Sequence, residues 1–161
     1  MLKYIHGDAT DPIITPSVNS VVCIPHICNN GGYWGSGFTR SLDEKWELPR
    51  KSYLNMNKYN LGEVVVVKAD NNISNLYVLN MIAQKGIRSR TNPKPISYSA
   101  LDMCLNKLKI FASTHKNITF HMPKIGSGLA GGDWNIIEEM INNIIVSTGT
   151  DVYVYLYEGK N

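Results

Sequence analysis

The sequence predicts an α/β protein, a three-layer α/β/α sandwich around a central mixed, largely parallel sheet. Three observations predict it. Strand-like and helix-like segments alternate along the whole chain. Two continuous apolar runs, "EVVVVKA" at 63–69 and "LYVLNMIAQ" at 76–84, have the character of strands covered on both faces. Finally, 161 residues without internal repeat, low-complexity tract or linker make a single domain, 1–161.

In order, "KYIH" at 3–6 and "SVVCIPHI" at 20–27 read as strands, rich in β-branched residues and bounded by Gly, Asn and Pro. The glycine-rich "NNGGYWGSG" runs into an amphipathic stretch at 37–46, and a second polar helical turn ends near Asn60. The two apolar runs follow as strands. In 97–115, Leu101, Leu105, Leu108 and Ala112 recur at helical spacing and predict a long helix. A strand at 117–125, a helix at 133–147 and a last strand, "VYVYLYE" at 152–158, complete the pattern.

Composition narrows the function. With 43% hydrophobic and 18% charged residues the chain is an ordinary globular protein, and its net charge of +3 suits an anionic ligand without arguing for nucleic acid. No apolar run approaches a membrane span, and "MLKYIHGDAT" lacks the apolar core of a signal peptide. Three cysteines without a CxxC pair point to a reduced, cytoplasmic setting; a monomer is also expected.

The chemistry concentrates in two glycine loops. "KIGSGLAGGDW" at 124–134 spells G-x-G-x-x-G, but a dinucleotide fingerprint belongs in the first βα turn of its fold. Here only one helix and one strand follow. The local physics survives: glycines let backbone N–H groups approach an anion, and the helix beginning near Asp133 aims its N-terminus at the loop. A plain strand-to-helix turn needs one or two glycines, whereas this one has four in seven positions. "CNNGGYWGSGF" at 28–38 repeats the arrangement. Two such loops at one carboxyl edge suit a diphosphate, with Asn29, Asn30, Ser36 and Ser127 available to sugar hydroxyls. Tyr33 and Trp34 are either packing residues or ligand-facing ones.

"IHGDAT" at 5–10, the Asn-bearing glycine loop and "PKIGSGLAGGDW" together resemble the macro domain, an ADP-ribose-binding module, over essentially the whole chain. "PHICNNGGYWGSGF" and "NMIAQKGI" are similar to its branch of small ADP-ribose 1''-phosphate phosphatases. The resemblance implies that Asp8, beside the backbone of Ala9, accepts a hydrogen bond from adenine; by itself, an Asp past a strand end also reads as a turn cap. It implies further that Gly126, Ser127, Gly128, Leu129 and Ala130 wrap the diphosphate, and that Asn29, Gly35, Ser36 and Gly37 hold the distal ribose and its 1'' substituent. Tyr155 or Tyr157 would pack on adenine; alternation puts both on one face, so one of them can be core.

The resemblance also implies the reactions to weigh. The phosphatase branch has a histidine matching His26, which either moves a proton or braces the loop. Asn29 and Gln84 would position the phosphate beside the loop amides. A second branch cleaves ADP-ribose from modified protein or nucleic acid, using a lysine and an aspartate. The matching residues here are Gln84 and Ala130, which can neither form an imine nor carry a proton. Lys85 lies one step along the strand, on the opposite face. A non-catalytic ADP-ribose reader would need the binding residues alone. The expected partners are ADP-ribose and ADP-ribose 1''-phosphate, with no membrane, no required nucleic acid, no cofactor and no metal. The cysteines and histidines form no ligand set: His26 and Cys28 share a strand face while Cys23 points away. The basic stretch 85–101 reads as a solvated connection or as a lid in which Arg88 or Arg90 covers a terminal phosphate.

Overall fold

Six strands form one sheet in the order β1-β6-β5-β2-β4-β3: β1 (Leu2–His6), β2 (Val21–Asn29), β3 (Val64–Lys68), β4 (Leu76–Gln84), β5 (Ile118–Met122) and β6 (Asp151–Leu156). This is a computed structural model, and it describes residues 1–157. Every neighbouring pair is parallel except β3 with β4. Helices cover both faces: α1 (Phe38–Lys45), α2 (Leu48–Leu54), α3 (Tyr98–Ser113) and α4 (Trp134–Ile144). The expected α/β sandwich with a mixed, largely parallel sheet is the observed one.

The reason is visible in the side chains. Leu101, Leu105 and Leu108 of α3 and Ile137 and Ile141 of α4 pack on Cys23, Leu79, Met81, Phe120 and Val154 in one buried cluster. Val22, Ile24 and Val78 point to the other face and meet Leu42 of α1. Strand residues alternate between the two cores, so both faces of β2 and β4 are apolar.

Element ends moved by a few residues. The strand expected to reach 125 stops at Met122, because Pro123 lacks the N–H the ladder needs and a turn begins there. The last strand ends at Leu156; the expected end at Glu158 lies outside the described residues.

Because β1, β6, β5, β2 and β4 run parallel, the segments after them all emerge at one edge. Ligands of such sheets bind outside the carboxyl ends of the strands. Among the described residues no helix is long and apolar enough to cross a membrane.

Candidate functional site

Two cavities open at that edge and form one groove. The larger, about 500 Å³, lies between the loop after β2 and the loop after β5, with Gln84, Ile87 and Arg88 closing one end. The smaller, about 300 Å³, is lined by Asp8, Ala9, Arg40, Glu44, Tyr155 and Tyr157 among others. Both share Gly37, Phe38 and Pro123. Phe38 escaped the sequence reading; its signal was an aromatic residue directly after "GSG".

The second glycine loop divides its labour. Gly132 N–H donates to the Gly126 carbonyl (2.7 Å) and Gly131 N–H to the Gly128 carbonyl (3.0 Å), closing the turn. A Cβ on Gly132 would sit 2.5 Å from the Gly126 oxygen, and one on Gly131 would sit 3.0 Å from the Pro93 oxygen. Gly126 and Gly131 both have a φ of 73°. Three of the four glycines therefore serve the turn itself, more than the one or two expected. Gly128 differs, since a Cβ there would meet nothing within 4 Å. Among the described residues the N–H groups of Gly128, Leu129 and Ala130 donate no hydrogen bond. They form a run of open donors beside the cavity. The Ser127 hydroxyl donates to the Lys124 carbonyl (2.8 Å), so it braces the loop.

The helix end open to an anion is not the expected one. At α4 the Asp133 carboxylate caps its own helix by accepting from Asn135 N–H (2.9 Å). That negative cap occupies the helix N-terminus. At α1 the N-cap is Gly37, with no side-chain cap, and Phe38 and Thr39 line the larger cavity. The Phe38 and Thr39 amides of α1 stay available to a ligand, while Arg40 N–H donates to the Gly37 carbonyl (3.2 Å).

Asn29 organises its loop. Its Oδ1 accepts from Gly31 N–H (3.0 Å), Tyr33 N–H (3.1 Å) and the Tyr53 hydroxyl (2.9 Å), while Nδ2 donates to the Tyr33 carbonyl (2.7 Å). Although Asn29 lines the cavity, its amide is engaged in holding the loop rather than in contacting a phosphate or ribose. Asn30 Oδ1 accepts from Gly86 N–H (2.9 Å), tying this loop to the end of β4. Trp34 packs into the core and donates to Asp43, whereas Tyr33 is 63% exposed at the cavity mouth. Gly35 and Ser36 are exposed on the cavity wall. Across the mouth, Leu129 Cδ1 lies 3.9 Å from where a Gly37 Cβ would be.

His26 is buried beneath the loop, at the wall of the larger cavity. Asn80 Nδ2 donates to the Pro49 carbonyl (3.1 Å), which turns Asn80 Oδ1 toward His26 Nε2 at 2.5 Å. An amide oxygen only accepts, so Nε2 carries the proton. The ring packs edge-on to Trp34, at 5.5 Å between centroids. Burial lowers its pKa from 6.5 to about 4, against the smaller opposing effect of the Asn80 bond. His26 is thus a neutral imidazole with Nδ1 unprotonated, packed against Trp34 and Phe38 of the segment that follows β2. Burial likewise pushes the Cys28 thiol well up, so it offers no thiolate. Gln84 donates from Nε2 to the Gly86 carbonyl (2.9 Å). Lys85 is exposed and does not line either cavity.

At the other end, Asp8 Oδ1 accepts from both Thr10 N–H (2.8 Å) and the Thr10 hydroxyl (2.7 Å), the turn cap that the sequence allowed. Its second oxygen has no hydrogen bond among the described residues. Tyr155 is the core member of its pair. It is 2% exposed, and its hydroxyl accepts from Ile13 N–H (3.0 Å) and meets His121 Nδ1 (2.7 Å). Tyr157, 51% exposed, is the one presented to the cavity. Among the described residues no three His, Cys, Asp or Glu side chains gather as a metal-holding group.

No family model matches the chain. A solved macrodomain protein from Streptomyces coelicolor superposes with a TM-score of 0.77 at 33% identity, over 97% of this chain and 99% of that one. The chain belongs to the macrodomain family. A protein of unknown function from Bacteroides thetaiotaomicron shares 39% identity and a TM-score of 0.86 over 96% of this chain and 97% of its own. Among curated relatives, a chromodomain-helicase-DNA-binding protein 1-like from Danio rerio is 30% identical over 97% of this chain. This macrodomain spans only 16% of that relative's length. An ADP-ribose 1''-phosphate phosphatase from Lodderomyces elongisporus is 28% identical over 95% of this chain and 98% of its own. The human ADP-ribose glycohydrolase OARD1 is 28% identical over 96% and 90%.

Proposed function

We propose that this macrodomain binds ADP-ribose and hydrolyses the terminal phosphate of ADP-ribose 1''-phosphate, giving ADP-ribose and inorganic phosphate. The observation that carries the reading is the charge of the larger cavity. Arg88 and Lys124 line it, and no carboxylate does among the described residues. Gln84 and Ala130 stand where the resemblance implies the lysine and aspartate of glycohydrolases. A cavity with cations, open amides and no acid suits an extra phosphate better than it suits glycosidic cleavage. The likeness to curated phosphatases of similar length supports the same reading.

In this reading adenine lies by Asp8 and Tyr157, and the diphosphate lies between the α1 N-terminus and the 128–130 amides. The distal ribose rests against Gly35–Gly37, beyond which lies the terminal phosphate. Water attacks phosphorus, the bond to the 1'' oxygen breaks, and that oxygen leaves with a proton. The chain supplies mainly fixed N–H dipoles and positive charge, which stabilise the equatorial oxygens in the transition state. Neutral His26 keeps the β2 loop in shape, and Nδ1 is its only proton-accepting atom. The result is a slow enzyme.

The test is direct. Calorimetry should give micromolar affinity for ADP-ribose, about −8 kcal/mol. Incubation with ADP-ribose 1''-phosphate should release inorganic phosphate, with little release of ADP-ribose from modified protein or DNA. Glycohydrolase turnover without phosphate release would reverse the assignment, and absence of ADP-ribose binding would remove it.

Asp8 has two separable roles. Asp8→Ala should lower both the melting temperature and ADP-ribose affinity, the latter by roughly 1.5–3 kcal/mol, because it removes the Thr10 cap and a charged acceptor. Asp8→Asn keeps an oxygen for Thr10 and should retain stability while still losing affinity. Wild-type affinity in Asp8→Asn would leave Asp8 as a cap alone.

A further inference from the structure

The segment 85–96, between β4 and α3, is tied to both glycine loops. Gly86 N–H donates to Asn30 Oδ1 (2.9 Å) on one side, and Ile96 N–H donates to the Ala130 carbonyl (3.0 Å) on the other. Within the segment, Lys85 N–H donates to the Pro95 carbonyl (2.8 Å), and Asn92 Nδ2 donates to the carbonyls of Lys85 (2.8 Å) and Ile87 (3.1 Å). The backbone that carries Arg88 is therefore held against the cavity wall. Yet Arg88 is exposed and lines the larger cavity, and its guanidinium makes no ion pair or hydrogen bond among the described residues. Arg90, two residues on, lines neither cavity.

Sheet order fixes where Arg88 meets a ligand. From β1 to β4 there are four interstrand steps, about 19 Å at the usual strand spacing. Along that edge come Asp8 after β1, Tyr157 after β6, the 128–130 amides after β5, Gly35–Gly37 after β2, and finally Arg88 after β4. A linear ligand with its base at Asp8 brings its opposite end to Arg88.

We propose that Arg88 is the residue that selects for a phosphate monoester at the distal end of the ligand. The inference rests on the ligand orientation proposed above. A guanidinium presents parallel N–H donors that fit two phosphoryl oxygens at once, and it cannot deprotonate. The terminal monoester carries close to two negative charges near pH 7, and hydrolysis replaces it with a neutral hydroxyl. Arg88 therefore holds the substrate and loses its partner once phosphate departs, which distinguishes substrate from product.

The experiment compares wild type, Arg88→Ala, Arg88→Lys and the control Arg90→Ala, with melting temperatures recorded for each. For Arg88→Ala, kcat/KM for phosphate release from ADP-ribose 1''-phosphate should fall about tenfold or more. The inhibition constant of the product ADP-ribose should stay within about twofold. Arg88→Lys should recover only part of the loss, and Arg90→Ala should match wild type. An equal fall for substrate and product, or no fall, would overturn the assignment. If the wild type releases no phosphate, the activity proposed above fails by itself. Calorimetric affinities for ADP-ribose 1''-phosphate and ADP-ribose then judge Arg88, and a ratio that Arg88→Ala leaves unchanged overturns it.

Discussion

Gly128→Val is expected to abolish ADP-ribose binding in a protein that still folds, while the far smaller change Gly132→Ala damages the loop itself. At Gly128 the backbone is not in the positive-φ region and a Cβ meets nothing within 4 Å, so the backbone and the space around Cβ both accept a side chain. Its methyl groups would occupy the space beside the open amides of residues 128–130. Losing two N–H contacts to a charged phosphate amounts to roughly 3 kcal/mol or more, at least about a hundredfold in affinity. At Gly132 even a methyl would lie 2.5 Å from the Gly126 oxygen and 2.9 Å from Ile137 Cδ1. The turn must open, with overpacking of about 1–3 kcal/mol and loss of the Gly132–Gly126 hydrogen bond. Ser127→Ala should remove only the brace to Lys124, about 0.5–1.5 kcal/mol of stability, and leave binding nearly intact. Calorimetry paired with thermal melting separates the three. If Ser127→Ala damages binding more than Gly128→Val, with both proteins folded, the loop works through its hydroxyl and not its amides.

Acid should unfold this protein through two buried histidines. His26, bonded to Asn80 beside Trp34 and Phe38, and His121, bonded to Thr119 and Tyr155 and stacked on Tyr153 at 5.0 Å, both have burial-lowered pKa values of about 4. In the unfolded chain each imidazole binds a proton near pH 6.5. Between pH 6.5 and 4 the unfolded state therefore holds more protons than the folded state. Stability is then full above that window and declines as pH falls through it. Each histidine removes roughly 3 kcal/mol by the bottom of the window. Between pH 5 and 6 the slope is roughly 2–3 kcal/mol per pH unit for the pair, in a range where ordinary carboxylates remain ionised. Urea titrations at pH 7, 6, 5.5 and 5 read that slope. A flat response from pH 6 to 5 would show that neither imidazole is held neutral. The variant His121→Asn should show about half the slope even if its stability at pH 7 is lower.

Much of this was legible in the chain because it depends on near neighbours in sequence. Alternating apolar runs with helical or strand periodicity determine an α/β sandwich, but of the two runs expected to be covered on both faces only 76–84 is. The run at 64–68 is the antiparallel edge strand, with Val67 buried and Val66 exposed, because no further strand pairs outside it among the described residues. The two glycine loops announce backbone that comes close to something, and the Asp after the first strand announces a turn. Their assembly at one edge follows from the parallel order of the sheet.

The sequence could not say which glycine is spent on the turn and which faces the ligand, because that depends on where the Gly126 carbonyl and Pro93 come to rest. Tyr155 and Tyr157 share a face by alternation, yet only packing against Ile13 and His121 buries the first and leaves the second exposed. Asn80 lies 54 residues from His26, and its amide, oriented by Pro49, sets the tautomer of a ring that looked free to act as a proton carrier. The helix end expected to hold the anion closed on its own Asp133, and the end capped only by Gly37 stayed open. Arg88 and Arg90 are alike as residue types, and the ties of their segment to both glycine loops bring only the first to the cavity. Local periodicity and turn chemistry are properties of short stretches, so the sequence alone determined the elements and the loops. The role of each polar side chain depends on partners far away along the chain, so only the tertiary structure decided which groups are left over for a ligand.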